Sequence, residues 1–240
     1  MEISYIGKCL LISEKGKKIL IIGDLHLGYE EVLNQGGVFV TRKMFDEMID
    51  YFNEVFDKIG KMDKIILLGD VKHNFGGILK QEWNDVLELI DYLSEKIEKE
   101  GEIVIVKGNH DTILAPILKR REGIKLVDYF IFEEIGFLHG DKDFKEIYDK
   151  KIKYWILGHG HPAVKIREGV KTEKYKCFLE GKFKGKKVFV VPSFFEYNDG
   201  CDPRDSNLGM AWNFDFMKFR VEVVGENLEV LDFGELGKLR

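Results

Sequence analysis

The stretch Ile103-Val104-Ile105-Val106-Lys107-Gly108-Asn109-His110-Asp111 decides how this chain is read. Four β-branched apolar residues in an unbroken run predict a strand buried on both faces. The run opens directly into Gly-Asn-His-Asp, a set of groups able to ligate a metal or move a proton. The same order occurs twice upstream. Lys18-Ile19-Leu20-Ile21-Ile22 runs into Gly23-Asp24-Leu25-His26, and Ile65-Ile66-Leu67-Leu68 runs into Gly69-Asp70, with His73 shortly after. Between these strands the apolar period becomes helical. Residues 41–59 place Met44, Met48, Phe52, Val55 and Ile59 on one stripe, widened by Phe45, Ile49 and Phe56. Residues 81–98 predict a second helix that buries Trp83, Val86, Leu87, Ile90, Leu93 and Ile97. Strand, helix and strand repeated in this way predict parallel pairing through right-handed crossovers. Reactive groups then lie beyond the carboxyl ends of the strands.

Downstream, the short apolar runs 135–138 and 154–157 lead into His139-Gly140-Asp141 and Gly158-His159-Gly160-His161. All six histidines therefore fall in five blocks, each placed after a strand-like run or close to one. Residues 163–167, 175–179, 187–191, 219–224 and 228–233 also read as extended, with glycine-rich turns between them. The expectation is one α/β domain over residues 1–240, with a parallel sheet packed on a more antiparallel one and helices outside.

Bulk composition narrows the class. The chain has 240 residues, 45% hydrophobic and 33% charged, which describes a globular protein able to bury a large core. No segment approaches the ~20 apolar residues needed to cross a bilayer, and residues 1–13 lack the pattern of a secretory signal. Cys9, Cys177 and Cys201 are scattered, in no CxxC pair, which favours a reducing cytoplasm over a disulfide framework. A net charge of −5 excludes a protein that coats nucleic acid by charge alone. The charge is uneven: residues 165–187 carry nine basic side chains against Glu168, Glu173 and Glu180, and Lys119-Arg120-Arg121 forms a second cluster. These fit equally a guarded strand edge and a basic rim facing substrate.

The blocks point to a two-metal hydrolytic site. Taken as extended chain, Asp24 and His26 project to one side and can reach one metal. Asp70 has two carboxylate oxygens and can bridge two cations. Asn109 offers a neutral oxygen, while His139, His159 and His161 offer imidazoles. Oxygen and imidazole ligands without thiolate suit Mn²⁺, with Fe²⁺, Zn²⁺ or Ni²⁺ as alternatives. Two such ions ~3.5–4 Å apart clamp a phosphoryl group and acidify a shared water that attacks phosphorus.

D-x-H, G-D, G-N-H-D, a lone H-G and G-H-x-H, in this order over residues 19–161, resemble the calcineurin-like metallophosphoesterases. The resemblance implies a four-layer sandwich of two mixed β-sheets flanked by helices. It implies Asp24, His26, Asp70 and His161 on one metal, and Asp70, Asn109, His139 and His159 on the other. It leaves His110 off the metals, over the phosphate, as an acid or transition-state stabiliser oriented by Asp111. Gly69-Asp70-Val71-Lys72-His73, Gly158-His159-Gly160-His161-Pro162 and Val191-Pro192-Ser193-Phe194 are similar to the archaeal SbcD-related phosphoesterases and the bacterial ligase-associated endonuclease PdeM. That similarity implies a manganese-dependent phosphodiesterase or nuclease in DNA repair, with a helicase or ligase partner. The chain stops at Arg240, short of the capping domain of SbcD nucleases, so single-stranded or flexible substrates are expected. The rival expectation is a phosphodiesterase or phosphatase for cyclic nucleotides or similar small esters. His73 reads equally as a substrate contact or a loop residue. Asp202, Arg204 and Asp205 read as turn formers, and Phe194, Phe195 and Tyr197 as loop packing more than base stacking.

Overall fold

Leu20 and Ile22 face one way from the third strand and Ile19 and Ile21 the other, and all four are fully buried in the computed structural model, which describes residues 1–119 and 121–239. Arg120, part of the basic cluster read from sequence, lies outside the described residues. The strand, β3 (Lys17–Ile22), belongs to a six-stranded sheet. Its neighbours in order are β1 (Glu2–Ile6), β2 (Cys9–Glu14), then β3, β4 (Met62–Leu67), β5 (Ile97–Val106) and β6 (Ile124–Val127). β1 to β3 form an antiparallel meander, while β3, β4, β5 and β6 pair in parallel. Leu20 and Ile22 pack with the helices α2 (Met44–Ile59) and α3 (Lys80–Glu95); Ile19 and Ile21 pack against a second sheet. Burial on both faces is why the run is continuously apolar, each side chain contributing ~1.5–3 kcal/mol.

The second sheet has eight strands: β7 (Phe130–Phe132), β8 (Ile135–Leu138), β9 (Tyr154–Leu157), β10 (Ala163–Glu168), β11 (Lys171–Phe183), β12 (Lys186–Val190), β13 (Arg220–Val224) and β14 (Val230–Glu235). They run in the order β14-β13-β11-β12-β9-β8-β7, with β10 paired to β11 as a hairpin. β8, β9 and β12 are parallel to one another, and the remaining pairs are antiparallel. Leu10, Ile66 and Val104 of the first sheet meet Phe137, Ile156, Phe178 and Phe189 of the second in a shared core. This is the mixed α/β, two-sheet architecture expected.

The outer layers differ. α2, α3 and α4 (Ala115–Leu118) pack on the first sheet, and the short α1 (Tyr29–Gln35) follows the loop after β3. The outer face of the second carries 3-10 turns at Lys145–Tyr148, Phe216–Lys218 and Leu236–Lys238, with Trp212, Phe214 and Phe219 packed over Trp155. Among the described residues, no helix is long and apolar enough to cross a membrane.

Two boundaries moved from their sequence expectation. The first long helix begins at Met44, where Glu30 Oε1 accepts the N–H groups of Lys43 (2.7 Å) and Met44 (3.0 Å) and so supplies the missing cap. The second ends at Glu95, because Ile97 already starts β5. Its buried stripe is Val86, Leu89, Ile90 and Leu93; Trp83 is 37% exposed instead of buried.

Candidate metal centre

Six strands end at one seam. β3, β4 and β5 of the first sheet deliver Asp24 and His26, Asp70, and Asn109 and His110. β8 and β9 of the second deliver His139, His159 and His161, and β12 leads into the 192–195 loop beneath them. The first two loops lie side by side: the carbonyl of Asp70 accepts the N–H groups of Leu25 (3.1 Å) and His26 (2.8 Å), and Leu27 bridges to Lys72. Phe194 N–H donates to the Asp24 carbonyl at 2.8 Å, closing the floor.

Asp24, His26 and His161 converge as one group and Asp70, His139 and His159 as another, with ligand atoms inside 4.8 Å of each other. In the first, His26 Nε2 lies 3.3 Å from His161 Nε2, and His161 Nε2 lies 3.5 Å from Asp24 Oδ1. In the second, His139 Nε2 lies 3.1 Å from His159 Nδ1 and 3.4 Å from Asp70 Oδ2. Asn109 Oδ1 joins this group 3.1 Å from His139 Nε2, and Asp70 Oδ2 also faces His26 Nε2 at 3.8 Å. The structure thus gathers all seven side chains named from sequence, with Asp70 between the two groups.

These spacings test whether a cation fits. Two ligands on bonds of about 2.1 Å stand roughly 3.0 Å apart at a right angle and roughly 3.4 Å apart at the tetrahedral angle. The imidazole pairs at 3.3 and 3.1 Å fall in that interval. Asp24 is fully buried and Asp70 is 2% exposed, and the ion pairs of both are with imidazoles. Two buried carboxylates with no lysine or arginine partner among the described residues carry a charge that divalent cations would balance. The residues fit the ions.

The electrostatics follow from burial. Burial would raise both carboxylates, but His161, His139 and His26 hold Asp24 below the usual range, and the hydrogen bond from His139 does the same for Asp70. Burial opposes charge on His139, yet the Asp70 hydrogen bond and the charges of Asp24 and Asp70 outweigh it, raising that imidazole to about 9. Its Nδ1 lies 2.7 Å from the Leu68 carbonyl, so Nδ1 carries the proton and Nε2 faces the site. Burial lowers His26 to about 3, and burial with the nearby His110 lowers His73 to about 4.

Four of the seven side chains do not reach the centre as extended chain. His26 (φ 51°), Asp70 (φ 47°), His159 (φ 63°) and His161 (φ 41°) all have left-handed backbone. Each such non-glycine residue costs ~1–3 kcal/mol and persists because its surroundings impose it. Asp24 and His26 do converge, but through a bent backbone and not through the extended chain that the i, i+2 argument assumed. Glycine at 108 is required by close approach: a Cβ there would stand 2.1 Å from Asp70 Oδ1.

His110 sits above this arrangement, Nε2 3.8 Å from Asp70 Oδ2 and Nδ1 against the carbonyl of His73. Asp111 was expected to orient it, and the structure corrects that. The Asp111 carboxylate accepts the backbone N–H groups of Val71 (3.0 Å), Lys72 (3.3 Å) and Gly108 (2.9 Å) and has no hydrogen bond to the imidazole. It ties two site loops together instead. Burial, with the Asp70 charge adding, pushes it up to about 6.

His73 completes a third group with His26 and His110, its Nδ1 3.2 Å from His26 Nδ1. With three imidazoles and no carboxylate, that group offers a dication no charge balance, which favours contact with substrate or water. Glu82, fully buried in α3, holds the loop by accepting the N–H groups of His73 (3.1 Å) and Leu79 (2.8 Å). It sits at the third helical position, but the apolar Leu79 at the cap leaves no capping-box signature in the sequence. Phe194 packs in the core against Phe52, Phe195 lies 5.0 Å from the His26 ring, and Tyr197 is 47% exposed. The basic stretch is largely spent internally: Lys165 pairs with Asp205, Lys171 with Glu173 and Lys187 with Glu180, while Lys186 donates to backbone carbonyls. Arg204 closes a turn with Asp202, and Arg121 pairs with Asp91.

The calcineurin-like phosphoesterase family model matches residues 17–216, and the chain belongs to that family. Its class is therefore a hydrolase of phosphoester bonds with divalent-metal groups. Among solved structures, a nuclease, MPE, of Pseudomonas putida is similar at a TM-score of 0.59 and 16% identity, over 94% of this chain and 100% of that one. Vps29 of Entamoeba histolytica, solved with zinc, is similar at 0.39 and 16%, over 90% and 99%. A protein of unknown function from Aquifex aeolicus is similar at 0.38 and 19%, over 59% and 77%. No curated protein matches the chain.

Proposed function

We propose that this chain is a binuclear phosphodiesterase that cuts nucleic acid, with manganese as its preferred metal. The observation that carries the reading is the pair of ligand groups sharing Asp70 under His110. Asp24, His26, Asp70 and His161 would hold one ion, and Asp70, Asn109, His139 and His159 the other. When bound, the ions supply positive charge for the phosphoryl oxygens and an acidified water. His110 stands over the same space with Asp70 Oδ2 3.8 Å from Nε2, beyond hydrogen-bond reach, so Nε2 can donate to a leaving oxygen while Nδ1 faces the His73 carbonyl. Asp111 and Glu82 hold the loops carrying His110 and His73.

The nuclease activity of the Pseudomonas protein of the same fold supports a polynucleotide substrate, and the similarity of the Asp70 and His161 blocks to SbcD-related and ligase-associated endonucleases supports a cytoplasmic role in DNA repair beside a helicase or ligase. Net charge −5 and the carboxylates of Glu30 and Glu47 beside Tyr197 favour a second reading, a small nucleotide-like diester as substrate.

Protein loaded with Mn²⁺ is tested on bis-p-nitrophenyl phosphate and on single-stranded DNA. Hydrolysis of both is expected, and cleavage of the small ester alone selects the second reading. His110→Ala should lose most activity and keep its metal. Absence of turnover on either diester, with two ions bound per chain, overturns the proposal.

A further inference from the structure

Phe75 is 57% exposed, yet its ring lies 3.6 Å from that of His110, at 33°. Most phenylalanines of this chain are core residues, so an exposed ring set on the acid of the site needs a reason. Its backbone is held by hydrogen bonds on both sides. The Phe75 carbonyl accepts Thr112 Oγ1–H at 3.1 Å, and the preceding Asn74 N–H is held by Glu82. Gly76 and Gly77 follow, and a Cβ at either would meet nothing within 4 Å, so the loop just beyond Phe75 runs in open space. Ile113, 38% exposed, extends the apolar surface at the same loop pair.

We infer that Phe75 is the stacking platform for the base on the leaving-group side of the scissile phosphate. The inference rests on the phosphodiesterase reading and names its substrate class: single-stranded polynucleotide with bases free to unstack. One face of the Phe75 ring is against His110, the group placed to protonate the leaving oxygen, so the nucleoside attached to that oxygen emerges beside Phe75. A second exposed ring, Tyr197, is a poorer candidate. Its hydroxyl donates to Glu30 Oε1 at 3.4 Å, and Glu47 also faces it, so a polyanion is repelled there. A base in a duplex cannot leave its stack without cost, whereas base-on-aromatic stacking stabilises a single strand by ~1–3 kcal/mol per base.

The test uses the full chain with Mn²⁺ and a short single-stranded oligonucleotide carrying 2-aminopurine, whose fluorescence is quenched on stacking. Quenching on binding is expected, retained in Phe75→Trp and lost in Phe75→Ala. The Phe75→Ala variant should show about a tenfold rise in KM for the oligonucleotide, and its preference for nucleoside over methyl leaving groups should collapse. Equal loss of kcat for both leaving groups without loss of quenching would mean that Phe75 only positions His110, and the inference falls. DNA cleavage by the wild type with no quenching also overturns it, leaving the nuclease reading in place. Quenching without cleavage of any diester overturns the nuclease reading, and the leaving-group assignment of Phe75 falls with it.

Discussion

One carboxylate addresses His110 twice: Asp70 Oδ1 accepts its backbone N–H at 2.9 Å, while Asp70 Oδ2 stands 3.8 Å from its Nε2. The residue placed between the two ligand groups also sets the height of the residue above them.

That double use separates two substitutions. Asp70→Asn keeps an oxygen for the His110 amide and loses the charge, so the fold should persist with fewer than two ions bound and hydrolysis reduced at least ~100-fold, since transition-state charge is the main thing such sites stabilise. Asp70→Ala should lose metal and also about 1–3 kcal/mol of stability from the orphaned amide. Metal content by mass spectrometry and thermal unfolding read the two effects. A two-ion Asp70→Asn protein would refute the bridging role.

Asp111 is tied to three backbone amides, so its removal should register first as stability. Asp111→Ala should lower Tm by several degrees, each buried amide left unpaired costing about 1–3 kcal/mol before relaxation. The shape of the pH–rate profile should stay that of the wild type. A variant with unchanged Tm and a shifted acidic limb would restore the orienting role that sequence suggested.

Lys176 carries the 192–195 loop, its Nζ donating to Ser193 O (2.9 Å), Ser193 Oγ (3.1 Å) and the Phe195 carbonyl. Burial lowers this amine to about 7 from an ordinary 10.5. Between those values the unfolded chain holds a proton that the folded chain has released. Stability from this group therefore rises with pH across about 7 to 10.5. Lys176→Met should flatten the rise of Tm with pH in that window. An unchanged slope would place the titration elsewhere.

Much of this was legible because strands that end at a metal seam have a simple grammar. An apolar run buried on both faces stops, and a glycine with a carboxylate or imidazole follows, as at Ile22-Gly23-Asp24 and Leu157-Gly158-His159. Other elements lacked such a signal. In β1 and β2 the burial is partial and Gly7-Lys8 interrupts the run, so neither strand stands out. The left-handed backbone at His26 and His161 is imposed by the neighbouring loops, and no local residue preference announces it. Asp111 looked like a partner for the imidazole beside it in sequence, but the amides of Val71 and Lys72, forty positions away, claim it. Phe75 had no period to mark it, standing alone before two glycines.

Asp24, Asp70 and Asn109 arrive from one sheet and His139, His159 and His161 from the other. Bound cations would thus act as rivets across a joint, fastening halves that side-chain packing and a few hydrogen bonds, such as Gly7 N–H to the Leu228 carbonyl and Tyr5 to Glu180, hold elsewhere. Chelation should then be felt well away from the seam, as faster amide exchange along both rows of parallel strands, so that metal supply governs the lifetime of the folded molecule as well as its turnover.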